Sequence, residues 1–365
     1  MAFNSYYYII FFLPVVAVYL ILSKSSYVST GKAWLVLVSL YFYGFMNFFY
    51  VPLLLCSIIA NYVFGILLDG NTKRRFSRRL VLCLGICFNL VLLMYFKYTN
   101  FLILNINEFF KAHISTLQLI LPLAISFFTF QQISYLVDKY KGEINGDTFL
   151  DYCLFVTFFP KLIAGPIVCY NEIMSQFSLF RNKIFTYKNL SYGIFLVSIG
   201  LFKKSVIADS FGIYADRGFA ITDSLSFSEA WVASLSYTLQ IYFDFSGYTD
   251  IALGSAYFFN IKLPVNFDSP YKSLNMQEFW RRWHITLGQW LMKYLYIPLG
   301  GSHCSTLRTY FNLFITFILC GIWHGAGWTF LAWGGMHGLG IIVCRMWRGM
   351  GLKLPKVVSW GITFL

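Results

Sequence analysis

Acidic residues are scarce in this chain, with 15 Asp and Glu against 28 Lys and Arg. Charged residues of both signs fill 12% of its 365 positions, where a soluble domain carries about 25%. With 58% of residues hydrophobic, a single globular core cannot hide the apolar surplus, which excludes an ordinary soluble domain. The eight cysteines contain no C-x-x-C pair and lie mostly inside apolar runs. That excludes a zinc ribbon or disulfide framework and leaves them as small hydrophobes in a helix bundle. The first apolar run lacks a basic leader and a small-residue cleavage site, so it reads as a retained span. Internal repeats, low-complexity segments and linkers are lacking too. The reading is one polytopic membrane domain over 1–365.

Aromatic residues are abundant at 21%, with 40 Phe, 26 Tyr and 10 Trp, rings at home against lipid and headgroups. The net charge of +13 sits between apolar runs, as in Lys73-Arg74-Arg75 and Arg78-Arg79. Such charge is topogenic, facing anionic lipid, and does not indicate a nucleic-acid surface. Stretches approaching the roughly 20 apolar residues a span requires lie at 6–23, 33–49, 50–68, 81–99, 117–137, 190–207, 229–246, 306–323 and 328–347. Segments 148–170 and 276–300 are apolar yet carry Pro160, Lys161 and Pro166, or Arg281, Arg282 and His284, and read as re-entrant or interfacial helices. The expected fold is therefore an all-α integral membrane protein, a multi-span helical bundle of about 9–10 spans. The basic loop at 71–80 faces the cytoplasm, which places the N-terminus outside. Val357–Leu365 is an apolar run of nine residues, too short to span, so the bundle reads as lacking its last helices.

Polar residues within spans are costly, roughly 2.5–3.5 kcal/mol for a charge, and they concentrate between Tyr242 and His337. The run Tyr242-Phe-Asp244-Phe-Ser246-Gly247-Tyr248-Thr-Asp250 reads either as the wall of a substrate channel or as a helix-packing network. In the segment from Asn266 to Gly288, Glu278 lies three and four residues before Arg281 and Arg282, in reach of either. The two arginines read as interfacial anchors or as holders of an anionic ligand such as coenzyme phosphates. Trp280 and His284, four apart, share a face. The third constellation is Cys320-Gly-Ile-Trp323-His324-Gly325-Ala-Gly327-Trp328, followed by Trp333-Gly-Gly-Met-His337-Gly338. Its glycines let a backbone or a substrate approach His324, and Gly334 and Gly338 make a small-residue packing face. A neutral imidazole suits a general base at physiological pH; the alternative is a histidine bonded between helices. His284, His324 and His337 match no metal-ligand spacing, so no metal is expected.

The runs FFPKLIAGPI (158–167), YFDFSGYTDIALG (242–254), NFDSPY (266–271), EFWRRWHITLGQWL (278–291), YLYIPLGG (294–301) and CGIWHGAGWTFLAWGGMHG (320–338) together resemble the membrane-bound O-acyltransferase family, and within it the bacterial alginate O-acetyltransferase-like branch. The resemblance is densest over 120–338, with a family-like core of about 120–345. It implies a ring of helices around a thinned centre, with a tunnel joining the two faces of the bacterial cytoplasmic (inner) membrane. His324 matches the family's histidine in W-H-G-A and His284 its upstream polar residue; Tyr242, Asp244, Arg281, Arg282, Trp323 and His337 are expected along the substrate path. Acetyl-coenzyme A is the implied cytoplasmic donor, with no tightly bound cofactor. A hydroxyl of an extracytoplasmic polysaccharide is the implied acceptor, and a periplasmic acyltransferase the implied partner. D-alanyl transfer to teichoic acid, a transporter and a silent scaffold are the competing readings.

Overall fold

The computed structural model describes residues 3, 5–24, 28–69, 77–179 and 186–364. Lys73, Arg74 and Arg75, three of the five charges on which the expected orientation rests, lie outside them, whereas Arg78 and Arg79 lie within. In chain order the helices are α1 (Tyr6–Lys24), α2 (Val28–Met46), α3 (Val51–Leu68), α4 (Arg78–Phe110), α5 (Ile125–Lys141), α6 (Phe149–Thr157), α7 (Phe159–Leu162) and α8 (Tyr170–Ser178). They continue with α9 (Tyr187–Leu201), α10 (Asp209–Ala220), α11 (Phe227–Tyr257), α12 (Met276–Arg282), α13 (Ile285–Leu291), α14 (Thr306–His324), α15 (Trp328–Gly349) and α16 (Lys356–Phe364). There is no strand among the described residues, as an all-α membrane protein requires.

Five helical stretches are long and apolar enough to cross a membrane: Tyr6–Ser23, Phe48–Leu68, Arg78–Phe110, Tyr187–Ala220 and Thr306–His324. Three more of the expected segments fall on α2, α11 and α15, helices of 19, 31 and 22 residues. The ninth, 117–137, is not one helix: α5 begins only at Ile125, and residues 111–121 are non-helical. The reason lies on α4. Asn107 both donates to Ile114 O (2.8 Å) and accepts from Ile114 N (2.9 Å), and Asn100 does the same with Leu117, both at 2.9 Å. A carboxamide offers one donor edge and one acceptor edge, like a peptide group, so these two satisfy extended backbone without a sheet. Segments 148–170 and 276–300 each break into short helices, α6 to α8 and α12 to α13, in line with their prolines and charges.

The chain forms two compact units, one of residues 1–58 and 146–264, the other of 59–145 and 265–365. In the first, α9 and α11 pack backbone to backbone through two glycine pairs. A Cβ on Gly200 would meet Gly247 O at 2.6 Å, and one on Gly254 would meet Gly193 O at 2.7 Å. Both helices carry their glycines seven residues apart, two turns along one face. A π-helical stretch, Phe202–Ala208, then brings Lys203 to Asp250 (2.6 Å) and Lys204 to Asp244 (2.5 Å). In the second unit the buried carboxamides Asn61, Asn89 and Gln132 bond one another across three helices. Trp290 stacks on Phe130 at 3.7 Å and donates its indole N–H to Phe130 O (3.1 Å).

The glycine pairing predicts that Gly200→Ala destabilises the solubilised protein by about 1–3 kcal/mol through overpacking. Gly349→Ala, whose Cβ meets nothing within 4 Å, is expected to leave the thermal midpoint in place.

Candidate active site

Three of the five histidines converge in the second unit. His324 is the last residue of α14, just before the Gly325-Ala326-Gly327 turn into α15. The two helices approach closely because Gly321 and Gly334 face each other: a Cβ on Gly321 would lie 2.3 Å from Phe330 O, and one on Gly334 2.4 Å from Phe317 O. Gly338 sits against Phe314 in the same seam, so the small-residue face read from the sequence is the α14–α15 contact.

A helix end leaves carbonyls without intrahelical partners. Two residues of α4 supply them here. Lys97 donates to Trp323 O and to Ser126 Oγ (3.3 Å), and Tyr98 donates to Ile322 O. The Lys97 ammonium also lies 5.7 Å from the centre of the Trp323 ring, a cation–π contact. Lys97 forms no ion pair among the described residues. Sequence reasoning passed over it, although a lysine inside the apolar run 81–99 was the available signal.

His284 stands at the break between α12 and α13, in the left-handed region at φ 44°. That conformation costs a non-glycine residue roughly 1–2 kcal/mol, and one side chain holds it. Asn266 Oδ1 accepts from Thr286 N (3.1 Å), Thr286 Oγ1 (2.9 Å) and His284 Nδ1 (3.2 Å), while Asn266 O accepts from Ile285 N (2.9 Å). The Thr286 amide can only donate, so the atom it meets is the carboxamide oxygen. His284 Nδ1 must then carry its proton, which makes Nε2 the unprotonated nitrogen of the neutral ring. Because the helix breaks here, Trp280 and His284 do not share a face as the spacing had suggested. Trp280 instead donates its indole N–H to His337 Nδ1 (3.3 Å). By the same logic His337 carries its proton on Nε2.

The three rings are linked by tryptophans. The His284 centroid lies 6.5 Å from Trp323, which lies 4.9 Å from His324; Trp333 lies 5.0 Å from His324 and 4.5 Å from His337. His284 and His337 each have a hydrogen-bonded ring nitrogen. Neither ring nitrogen of His324 has such a partner among the described residues. His337 also borders a cavity of about 340 Å³ with Tyr271, Ser273 and Phe279.

Of the other expected path residues, Arg281 and Arg282 belong to the second unit and Tyr242 and Asp244 to the first. Arg282 is tied by Glu278 (2.8 Å) and Asp268 O (3.2 Å), whereas Arg281 is exposed with no ion pair among the described residues. Tyr242 and Asp244 belong to the first unit, where Asp244 is half-exposed and paired with Lys204. No group of three potential metal ligands occurs among the described residues.

A helical membrane protein with three histidines in a row, two of them at helix ends, has a candidate proton-transfer site. Residues 143–363 match the model of MBOAT, the membrane-bound O-acyltransferase family. Among curated relatives, a peptidoglycan O-acetyltransferase of Helicobacter pylori is 49% identical over 99% of this chain and 74% of its own length. A protein of Pseudomonas aeruginosa named "probable alginate O-acetylase AlgI" is 36% identical over 100% of this chain and 70% of its own. A teichoic acid D-alanyltransferase of Streptococcus thermophilus is 27% identical over 65% of this chain and 59% of its own. The chain belongs to the membrane-bound O-acyltransferase family, and it is an acyltransferase.

The role of Lys97 as the cap of α14 is open to test. Lys97→Met is expected to cost about 1.5–3 kcal/mol, the worth of a hydrogen bond to a charged donor, read as a lowered thermal midpoint. Lys97→Arg, which keeps charge and donors, is expected to restore most of it.

Proposed function

We propose that the protein moves acetyl from acetyl-coenzyme A to hydroxyls of an extracytoplasmic cell-surface glycan, with His324 as general base. One observation carries the assignment within the site: His324 alone of the three rings has both nitrogens free of hydrogen bonds among the described residues, at the end of a helix whose terminal carbonyls are already satisfied. In this reading the acceptor hydroxyl gives its proton to His324 as its oxygen attacks the thioester carbon. His284, its tautomer set by Asn266, offers Nε2 to orient the hydroxyl or the thioester.

Acetyl is favoured over D-alanyl because the relatives matched over nearly all of this chain bear O-acetylating names, while the D-alanyl relative matches 65% of it. Identity of 49% to a protein named for peptidoglycan, against 36% to those named for alginate, favours a cell-wall glycan over an alginate-like polymer. The proposal includes an inner-membrane location with the N-terminus outside and a periplasmic acyltransferase partner that completes the transfer.

The test is coenzyme A release and glycan acetylation by the purified chain. His324→Ala is expected to lower both by about 10²–10⁴-fold, the range of general-base catalysis. Wild-type turnover in that variant would sink the mechanism, and solute transport without thioester consumption would sink the enzyme reading. A reporter fused at the N-terminus is expected to be active on the extracytoplasmic side.

A further inference from the structure

Two polar groups in the histidine row have no hydrogen-bond partner among the described residues. The Trp323 indole Nε1–H is buried without an acceptor, on a side chain whose residue is only 8% exposed. The Asn266 carboxamide Nδ2, on a residue 1% exposed, is likewise buried without one. Both are donors, and both belong to residues that touch His284: Asn266 through its Oδ1 at 3.2 Å, Trp323 through its ring. Exchanging the oxygen and nitrogen of Asn266 would not help, because the Thr286 amide already requires the oxygen where it stands.

A buried donor that gives up water without gaining an acceptor opposes folding, and here two of them stand beside one imidazole. Such groups call for a partner that the chain does not supply, such as water, an ion or a bound substrate. The rest of the neighbourhood is already committed. The Trp323 carbonyl takes Lys97, its ring lies 5.0 Å from Phe130 in a stacked contact, and Asn266 Oδ1 takes three donors. The ligand group that fits two free N–H donors is an oxygen with lone pairs and growing negative charge.

We propose that Trp323 Nε1–H and Asn266 Nδ2–H are catalytic donors that receive the acyl carbonyl oxygen of the thioester as it becomes an oxyanion. This rests on the acyl-transfer reading above. The acceptor O–H loses its proton to a His324 ring nitrogen as its oxygen bonds to the thioester carbon, and the carbonyl π pair moves onto oxygen between the two donors. When the C=O bond re-forms, the C–S bond breaks and the thiolate takes the proton from the imidazolium. Donors set in place beforehand and shielded from water are worth more here than in solution, since nothing must reorganise as the charge develops. Trp323 is suited to this by its surroundings: ring contacts with Phe127, Phe130, His284 and His324 hold its plane.

The experiment replaces the Trp323 N–H and leaves the ring. Trp323→Phe, and Trp323→benzothienylalanine with sulfur in place of N–H, are compared with Asn266→Asp, which keeps the acceptor oxygen and removes the donor. Each is assayed as purified full chain for acetyl-coenzyme A turnover. The expected result is a fall in kcat of about 10²–10³-fold with the donor KM changed only a few-fold, as for loss of an oxyanion donor. A second readout uses two unreactive donors: the ketone analogue in which CH2 replaces the thioester sulfur, and S-ethyl-coenzyme A, which has no carbonyl. Wild type is expected to bind the ketone more tightly, and the variants to lose that preference. A residue that only packs the site would not move that ratio. Should Trp323→Phe fail to fold, the isosteric benzothienylalanine variant decides. Near-wild-type kcat and an intact ketone preference in that variant, with His324→Ala inactive, would overturn this proposal and leave the acyl-transfer reading standing. Full activity of His324→Ala would instead remove the reading on which it rests.

Discussion

A helix that stops inside an apolar slab exposes carbonyls or amides that no water will solvate. Both histidines of greatest interest stand at helix ends whose backbone groups are taken by other side chains. His324 closes α14, and Lys97 and Tyr98 reach from α4 to take the carbonyls of the two residues before it. His284 opens α13, and Asn266 takes the amides of the next two residues with its side-chain and backbone oxygens. Satisfying the helix ends and aiming the imidazoles are therefore one structural problem with one solution. The residues that make the backbone tolerable at these points also decide where the rings stand.

Tryptophan does the corresponding work between the rings. A Trp side chain has a large rigid face and a single N–H, so it spaces and orients neighbours with little loss of rotamer freedom. Trp280 spends its N–H on His337, and Trp290 spends its on Phe130 O. Trp328 gives its own to Asn105 on α4. Trp323, with the rings of two histidines against it, has a buried N–H without a protein acceptor. Among the tryptophans of the described residues, Trp323 is the one whose indole N–H is buried without a hydrogen-bond partner.

Periodicity and composition were sufficient for the all-α membrane class and for most helices, because span length and apolar content are set by one solvent. They failed at 117–137, where Asn100 and Asn107 stabilise extended backbone from a distance of several turns in sequence. Such clamps leave no local trace. The glycine seam of α14 and α15 was legible, since Gly334 and Gly338 lie on one helix face. The glycine pairs of α9 and α11 were not, since each helix shows only half of the pattern. At the site, the WHGAGW and RRWH runs pointed to His324 and His284, but a strained φ at His284 cannot be read from spacing, and so Trp280 was placed on the wrong face. Lys97 was readable as a charge inside a span, yet its partner lies 226 residues further along the chain.

The shortage of carboxylates noted at the outset reaches into this site. A carboxylate orienting a histidine fixes the tautomer and also stabilises the imidazolium that forms. Asn266 can fix the tautomer of His284 but offers no charge, so it favours a ring that stays neutral and bonds through Nε2. The acids nearest in sequence, Asp268 and Glu278, are spent on Arg282. On the mechanism proposed above, the row begins each turnover with neutral imidazoles and neutral N–H donors, beside one lysine bonded to Trp323 O and Ser126 Oγ. Burying a carboxylate at membrane depth would add a desolvation cost that must be met by a permanent partner. On that proposal, neutral imidazoles and N–H donors avoid that cost between turnovers and meet negative charge only while the substrate carries it.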